Sequence, residues 1–218
     1  MFEDRKDAGM RLARALEKYG DNDLLVLSIP NGGVQVGFEV SSHLRADFSI
    51  LVARKLPFPD NPESGFGAIA EDGSTVMLKE FVPYLSKKII DEIIDEQKRE
   101  IERRVRVLRG NEPLPEMGER CVILIDDGIA MGSTMQAAIK LCRKRKPRHL
   151  VVATPVASRE VKRRLSWMVD DVVVLEMPHD FRAVAQVYAH WYDVQDWEVQ
   201  DILEAWKNFR KGNINNKR

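Results

Sequence analysis

Along the chain, short apolar runs alternate with longer stretches in which apolar residues return every three or four positions. The runs "LLVLSIP" (24–30), "CVILID" (121–126), "HLVVATPV" (149–156) and "DVVVLEM" (171–177) have the continuous apolar character of strands buried on both faces. A further run at about 48–53, in "DFSILVARK", predicts a second strand that ends in Arg54 and Lys55. Residues 2–19, 34–44, 84–108, 132–145, 158–167 and 198–209 carry helical spacing, and Gly20 supplies a stop for the first of them. Strands alternating with helices of these lengths predict right-handed βαβ crossovers, hence an α/β fold with a parallel twisted sheet flanked by helices.

Three segments break the alternation. "LPFPDNPESGFG" (56–67) is rich in Pro, Gly and Asp/Asn and reads as a mobile loop, a candidate lid over 56–65. "GAIAEDGSTVML" (67–78) reads as a hairpin turning at Asp72-Gly73, at an edge of the sheet. In 84–108, Ile90, Ile94, Gln97, Ile101, Val105 and Leu108 form one stripe, and the Lys, Arg and Glu between them read as a solvated face. The closing "RKGNINNKR" has nothing to bury, so the expected organisation is one domain over 1–210 and a flexible tail over 211–218.

Charge narrows the partners. The 218 residues hold 34 basic and 34 acidic side chains, so no overall field draws in nucleic acid or an anionic membrane, and any anion site must be local. "KLCRKRKPRHL" concentrates cations at the end of a helix, where they complement its dipole. No stretch approaches a membrane span, and "MFEDRKDAGM" lacks the apolar core of a signal peptide. Cys121 and Cys142 fit neither a disulfide framework nor a paired-cysteine metal site. The expectation is a cytoplasmic protein with reduced, buried thiols. No histidine spacing suggests a metal ligand set, and no G-x-G-x-x-G follows the first strand.

The chemistry concentrates in "CVILIDDGIAMGST" (121–134), where a buried strand stops at two adjacent carboxylates and passes through a small-residue turn into a helix. Ligands of an open parallel sheet bind outside the carboxyl ends of its strands, which is where Asp126 and Asp127 fall. Paired ionised acids call for hydroxyls or a cation, met by a vicinal diol, a magnesium shell, or both. The amides of the turn and the helix dipole favour an anion, with the Ser133 and Thr134 hydroxyls as added donors. A ribose 5-phosphate has both features.

This string resembles the phosphoribosyl-pyrophosphate signature of type I phosphoribosyltransferases. "SIPNGGVQVG" is similar to the pyrophosphate turn of a group of uncharacterised phosphoribosyltransferase-domain proteins, with "ARKLPFPDNPESGFGAIAEDG", "ERRVRVLRG" and "DFRAVAQVY" extending the likeness over most of the chain. The resemblance implies the type I fold with a small hood. It also implies that Asp126 and Asp127 hold the ribose hydroxyls, and a magnesium ion through water. In the same way, Ala130, Met131, Gly132, Ser133 and Thr134 would bind the 5-phosphate, while Asn31, Gly32 and Gly33 with Arg54 and Lys55 meet pyrophosphate. Two positions depart from the pattern: Met131 where Thr is usual, and Asn31 where the group often carries Arg. Ala130 replaces the Asp typical of members that use 6-oxopurines, and Phe181 in "MPHDFRAV" is the candidate to stack on the acceptor, with His179 or Asp180 bonding to it.

The implied reaction is magnesium-dependent transfer of phosphoribosyl from phosphoribosyl pyrophosphate to a small nitrogenous base, a glycosyltransferase step of nucleotide metabolism that releases pyrophosphate. The expected partners are those two substrates, with no nucleic acid and no membrane, and a homodimer is the assembly allowed for. The main alternative is a non-catalytic regulator that senses a phosphorylated ribose or nucleotide.

Overall fold

In chain order the elements are α1 (Arg5–Ala15), β1 (Leu24–Ser28), α2 (Gly32–Leu44), β2 (Asp47–Ile50), β3 (Ala53–Phe58), β4 (Asn61–Ala70), β5 (Thr75–Met77), α3 (Lys87–Arg109), β6 (Cys121–Ile125), α4 (Ser133–Lys144), β7 (His149–Val156), α5 (Arg159–Ser166), β8 (Asp171–Glu176) and α6 (Asp196–Asn215). They come from a computed structural model that describes residues 1–20 and 23–215, with side chains to Arg210. Five strands form a parallel sheet in the order β2-β1-β6-β7-β8. The expected parallel sheet flanked by helices is what forms.

Successive strand residues face opposite sides. Leu24, Val26, Ile123 and Ile125 enter a core with residues of α1, α2, α3 and α6, while Leu25, Leu27, Val122 and Leu124 enter a second core with residues of α4 and α5. The chain moves from β1 to β2 on one side and places β6 on the other, so the crevice between the ends of β1 and β6 is a topological switch point. Cys121 and Cys142 are buried and free, as expected. Among the described residues no helix is long and apolar enough to cross a membrane.

The region after β2 differs from its sequence reading. The second strand ends at Ile50, and Ala53 starts a separate antiparallel sheet, β3-β4-β5, so Arg54 and Lys55 stand at the root of a hood and not at the end of a main-sheet strand. The apolar run hides this break because Leu51 and Val52 are fully buried where the chain changes sheets. The expected mobile loop is itself mostly strand: β3 and β4 pair with register shifts around Pro57, and Phe58 packs on Phe66 and Phe81 at 5.7 and 5.3 Å between ring centroids. The Asp72-Gly73 hairpin is present between β4 and β5, within this hood and not at an edge of the main sheet.

Two ends also shift. α1 starts at Arg5, capped by Asp4, because Phe2 leaves the helical pattern to bridge with Tyr188. α6 continues to Asn215, beyond the helical stretch read to Phe209, since helical hydrogen bonding propagates once Trp206 has anchored the segment on Phe38 and Phe48. Of the expected tail, residues 216–218 lie outside the described residues.

Candidate functional site

Asp126 and Asp127 follow the end of β6 and take different partners. Asp126 lines two neighbouring cavities, of about 500 and about 240 Å³, and its carboxylate accepts the Asp127 amide at 2.9 Å. Burial, and then the charge of Asp127, push its carboxyl well above the usual value. Asp127 lines neither cavity and accepts Arg5 Nε at 2.7 Å, a pair whose side chains are only 3% and 12% exposed. Arg5 also donates to the Tyr192 carbonyl at 3.0 Å and lies 4.0 Å over the Trp191 ring. The Tyr188 hydroxyl donates to the Asp127 carbonyl at 2.6 Å. The resemblance gives both acids to the sugar; in the structure Asp126 alone lines these two cavities, and Asp127 is committed to Arg5 of the N-terminal helix.

The smaller cavity is walled by Gly128 to Met135, together with Lys55, Glu63 and Gly65 from the hood. Gly132 has φ +80, a conformation that carries a steric cost for any residue with a Cβ, and it turns the chain into α4 without a side-chain cap. The first intrahelical bond runs from Gln136 N to Gly132 O, which leaves the amides of Ser133, Thr134 and Met135 free at the positive end of the helix. Met131 points outward, 51% exposed, while its carbonyl accepts Arg164 Nη2 from α5.

The larger cavity lies between the ends of β1 and β6 and the hood. Pro30, Arg54, Pro57, Gln97 and Arg104 are among its walls, with Lys55, Asp126 and Thr134 shared with the smaller one. The Gly32-Gly33 turn sits directly on the acids: a Cβ on Gly32 would fall 1.8 Å from Asp127 Oδ2, and one on Gly33 would fall 3.0 Å from Asp126 Cα. Asn31 does not point freely at the cavity. Its Nδ2 donates to the Val194 carbonyl at 2.7 Å, and its Oδ1 accepts Arg104 Nη1 at 2.9 Å. Arg54 Nε donates to Gln97 Oε1 at 2.7 Å. Burial lowers the pKa of both Arg54 and Lys55, so each charge is held where water solvates it poorly.

Sequence reasoning missed Arg5, Gln97, Glu100, Arg104 and Arg164. Gln97, from the apolar stripe of α3, and Arg104, from the face that reads as solvated, both line the cleft, a placement that helical periodicity cannot distinguish from core packing or from exposure. Three cations of the basic run 140–148 are committed to the fold: Lys140 donates to the Thr75 carbonyl, Lys144 pairs with Asp72 and Arg143 with Asp170. Those contacts tie α4 to the hood and to the start of β8. Phe181 is not brought to the cleft, because it packs against the small cluster of Phe2, Val156 and Tyr188 with Val184 beside it. Among the described residues no group of three or more His, Cys, Asp or Glu could hold a metal ion by itself.

A sequence-family model described as "Phosphoribosyl transferase domain" matches residues 2–193. Proteins of two Mycobacterium tuberculosis strains, each named "Putative phosphoribosyl transferase", are 38% identical to this chain over 207 residues, which is 94% of this chain and 46% of theirs. The chain thus spans about half the length of the curated relatives it matches. The crystal structure of TT1426 from Thermus thermophilus superposes with a TM-score of 0.79 at 36% identity, covering 94% of this chain and 99% of that one.

Proposed function

The chain belongs to the phosphoribosyl transferase domain family, and from that premise we propose that it transfers 5-phosphoribosyl from phosphoribosyl pyrophosphate to a nitrogenous base and releases pyrophosphate. One observation carries the reading. Asp126 is shared by a cavity built on a helix N-terminus and a cavity walled by Arg54, Lys55 and Arg104. That layout suits a sugar diol with a phosphate on either side.

In this reading the amides of 131–135 and the dipole of α4 hold the 5-phosphate, and Lys55, which borders both cavities, adds charge to it. Asp126 accepts a ribose hydroxyl, which fixes the sugar at the mouth of the switch point. As the bond from C1 to the pyrophosphate oxygen breaks, charge builds on the departing group, and Arg54 stands in a weakly solvated wall to meet it. Pro57 and Pro62 of the hood help to keep water from the electron-poor C1. Magnesium fits this donor set, because it binds through one or two carboxylates plus substrate phosphates and keeps its waters. Asp126 is the carboxylate that would meet it, and the ion would neutralise pyrophosphate charge. Ala130 brings no carboxylate to the acceptor, so a base that needs no proton acceptor at that position suits the site.

The Arg5–Asp127 pair favours one alternative, a non-catalytic sensor of a phosphorylated ribose, since it leaves a single acid at the ligand. Calorimetric titration of phosphoribosyl pyrophosphate with and without magnesium, on wild type and Asp126→Asn, tests the binding. Magnesium-dependent affinity that falls at least tenfold in the variant is expected, while no binding by wild type overturns the reading. Pyrophosphate release in a screen of nitrogenous bases then separates the enzyme from the sensor.

A further inference from the structure

The turn that follows β1 has no cation of its own, although it borders the cavity assigned here to pyrophosphate. Both ends of the Asn31 carboxamide are engaged, the Nδ2 with the Val194 carbonyl and the Oδ1 with Arg104. An amide bound in this way is a bracket, and what it brackets is a guanidinium from an element more than seventy residues away.

Arg104 is gripped on two of its three nitrogens. Nε donates to Glu100 Oε1 at 3.1 Å and Nη1 to Asn31 at 2.9 Å, so the plane of the fork is set from both sides. Nη2 has no hydrogen-bond partner among the described residues. The side chain is 18% exposed and forms part of the cavity wall with Arg54 and Lys55. Around it, Arg54, Arg103 and Arg104 share the Glu100 carboxylate at 3.8, 2.8 and 3.1 Å, and Asp196 adds one further carboxylate at Arg103. In the cavity wall itself Arg54, Lys55 and Arg104 stand against Glu96 and Asp126, so one positive charge is left over, and like charges held together in a weakly solvated wall cost free energy until an anion joins them. A planar fork with a free edge suits a phosphate oxygen.

We infer that Arg104, oriented by Asn31 and Glu100, is a pyrophosphate-binding residue of this cleft, so that α3 supplies the charge the β1–α2 turn lacks and Asn31 acts as its positioning residue. The inference rests on the phosphoribosyl pyrophosphate reading above. It also explains why an uncharged residue suits position 31: a second cation there would face Arg104 where the amide oxygen now accepts from it.

Calorimetry with magnesium pyrophosphate and with ribose 5-phosphate, on wild type, Arg104→Ala, Arg104→Lys, Asn31→Ala and the Asn31→Ala/Arg104→Ala double variant, tests this. Arg104→Ala is expected to weaken pyrophosphate at least tenfold and ribose 5-phosphate less than twofold. Asn31→Ala should cost less, and the double variant should bind pyrophosphate no more weakly than Arg104→Ala, because the bracket then has nothing to hold. Arg104→Lys keeps the charge without the fork and should lose at least threefold for pyrophosphate alone, which preserves the comparison if the alanine variant fails to fold. Equal losses for both ligands, unchanged pyrophosphate affinity, or additive losses in the double variant would overturn the inference while leaving the functional reading intact. Wild type that binds neither phosphoribosyl pyrophosphate nor pyrophosphate would overturn both.

Discussion

The two halves of the cleft are built in opposite ways. The proposed phosphate cradle is one continuous stretch, Gly128 to Met135, with its donors on the backbone and its curvature set by the positive φ of Gly132. The proposed pyrophosphate side is assembled from α1, the β1–α2 turn, β3, α3 and the start of α6, with donors on long side chains that hold one another. A contiguous site depends on local conformation and tolerates distant change. An assembled one depends on the packing of every element that contributes a side chain.

Removing the brace under the assembled half gives the largest expected effect. Arg5→Ala leaves Asp127 buried and unpaired beneath the Gly32 turn, which is expected to cost about 3 to 5 kcal/mol in urea denaturation at pH 7. Adding Asp127→Asn should recover part of that loss, because the stranded charge is gone. A loss below about 1 kcal/mol in Arg5→Ala would mean that the turn does not rest on this pair.

The contiguous half breaks more gently. An alanine at Gly132 would have to hold φ +80 and bring its Cβ 3.2 Å from Ile129, a strain of about 1 to 2 kcal/mol. Calorimetry should then show ribose 5-phosphate weakened about tenfold with pyrophosphate nearly unchanged, the converse of Arg104→Ala. Equal weakening of both ligands would show that the halves are one unit.

The smallest effect is a pH signature of the assembled half. Hydrogen bonds from Arg103, and from Arg104 after it, hold the Glu100 carboxyl at about 2, below its usual 4.5. A depressed carboxylate contributes stability that is complete above its unfolded value and is lost as pH falls through its folded one. Wild type should therefore lose stability between roughly pH 4.5 and 2, and Glu100→Gln should remove less than about 1 kcal/mol of that slope. Denaturation curves at pH 7, 4 and 3 would show it, and identical slopes in the two proteins would mean that Glu100 does not anchor the arginines.

The contrast between the halves also marks what the sequence could disclose. Alternating apolar runs and helical stripes determined the parallel sheet and its helices, because burial on two faces or on one stripe leaves a period in the chain. The string from Cys121 to Thr134 disclosed the strand end, the turn and the helix start that wall the smaller cavity for a similar reason: a strand end, a glycine turn and a helix start are local features. Only the tertiary structure decided that the apolar run after Asp47 breaks into two sheets, that Asp127 serves Arg5, and that Arg104 reaches the cleft. Which of two adjacent carboxylates faces a cavity depends on the pleat. Which face of a charged helix meets a site depends on the neighbours that pack beside it, and those contacts join residues that no spacing along the chain relates.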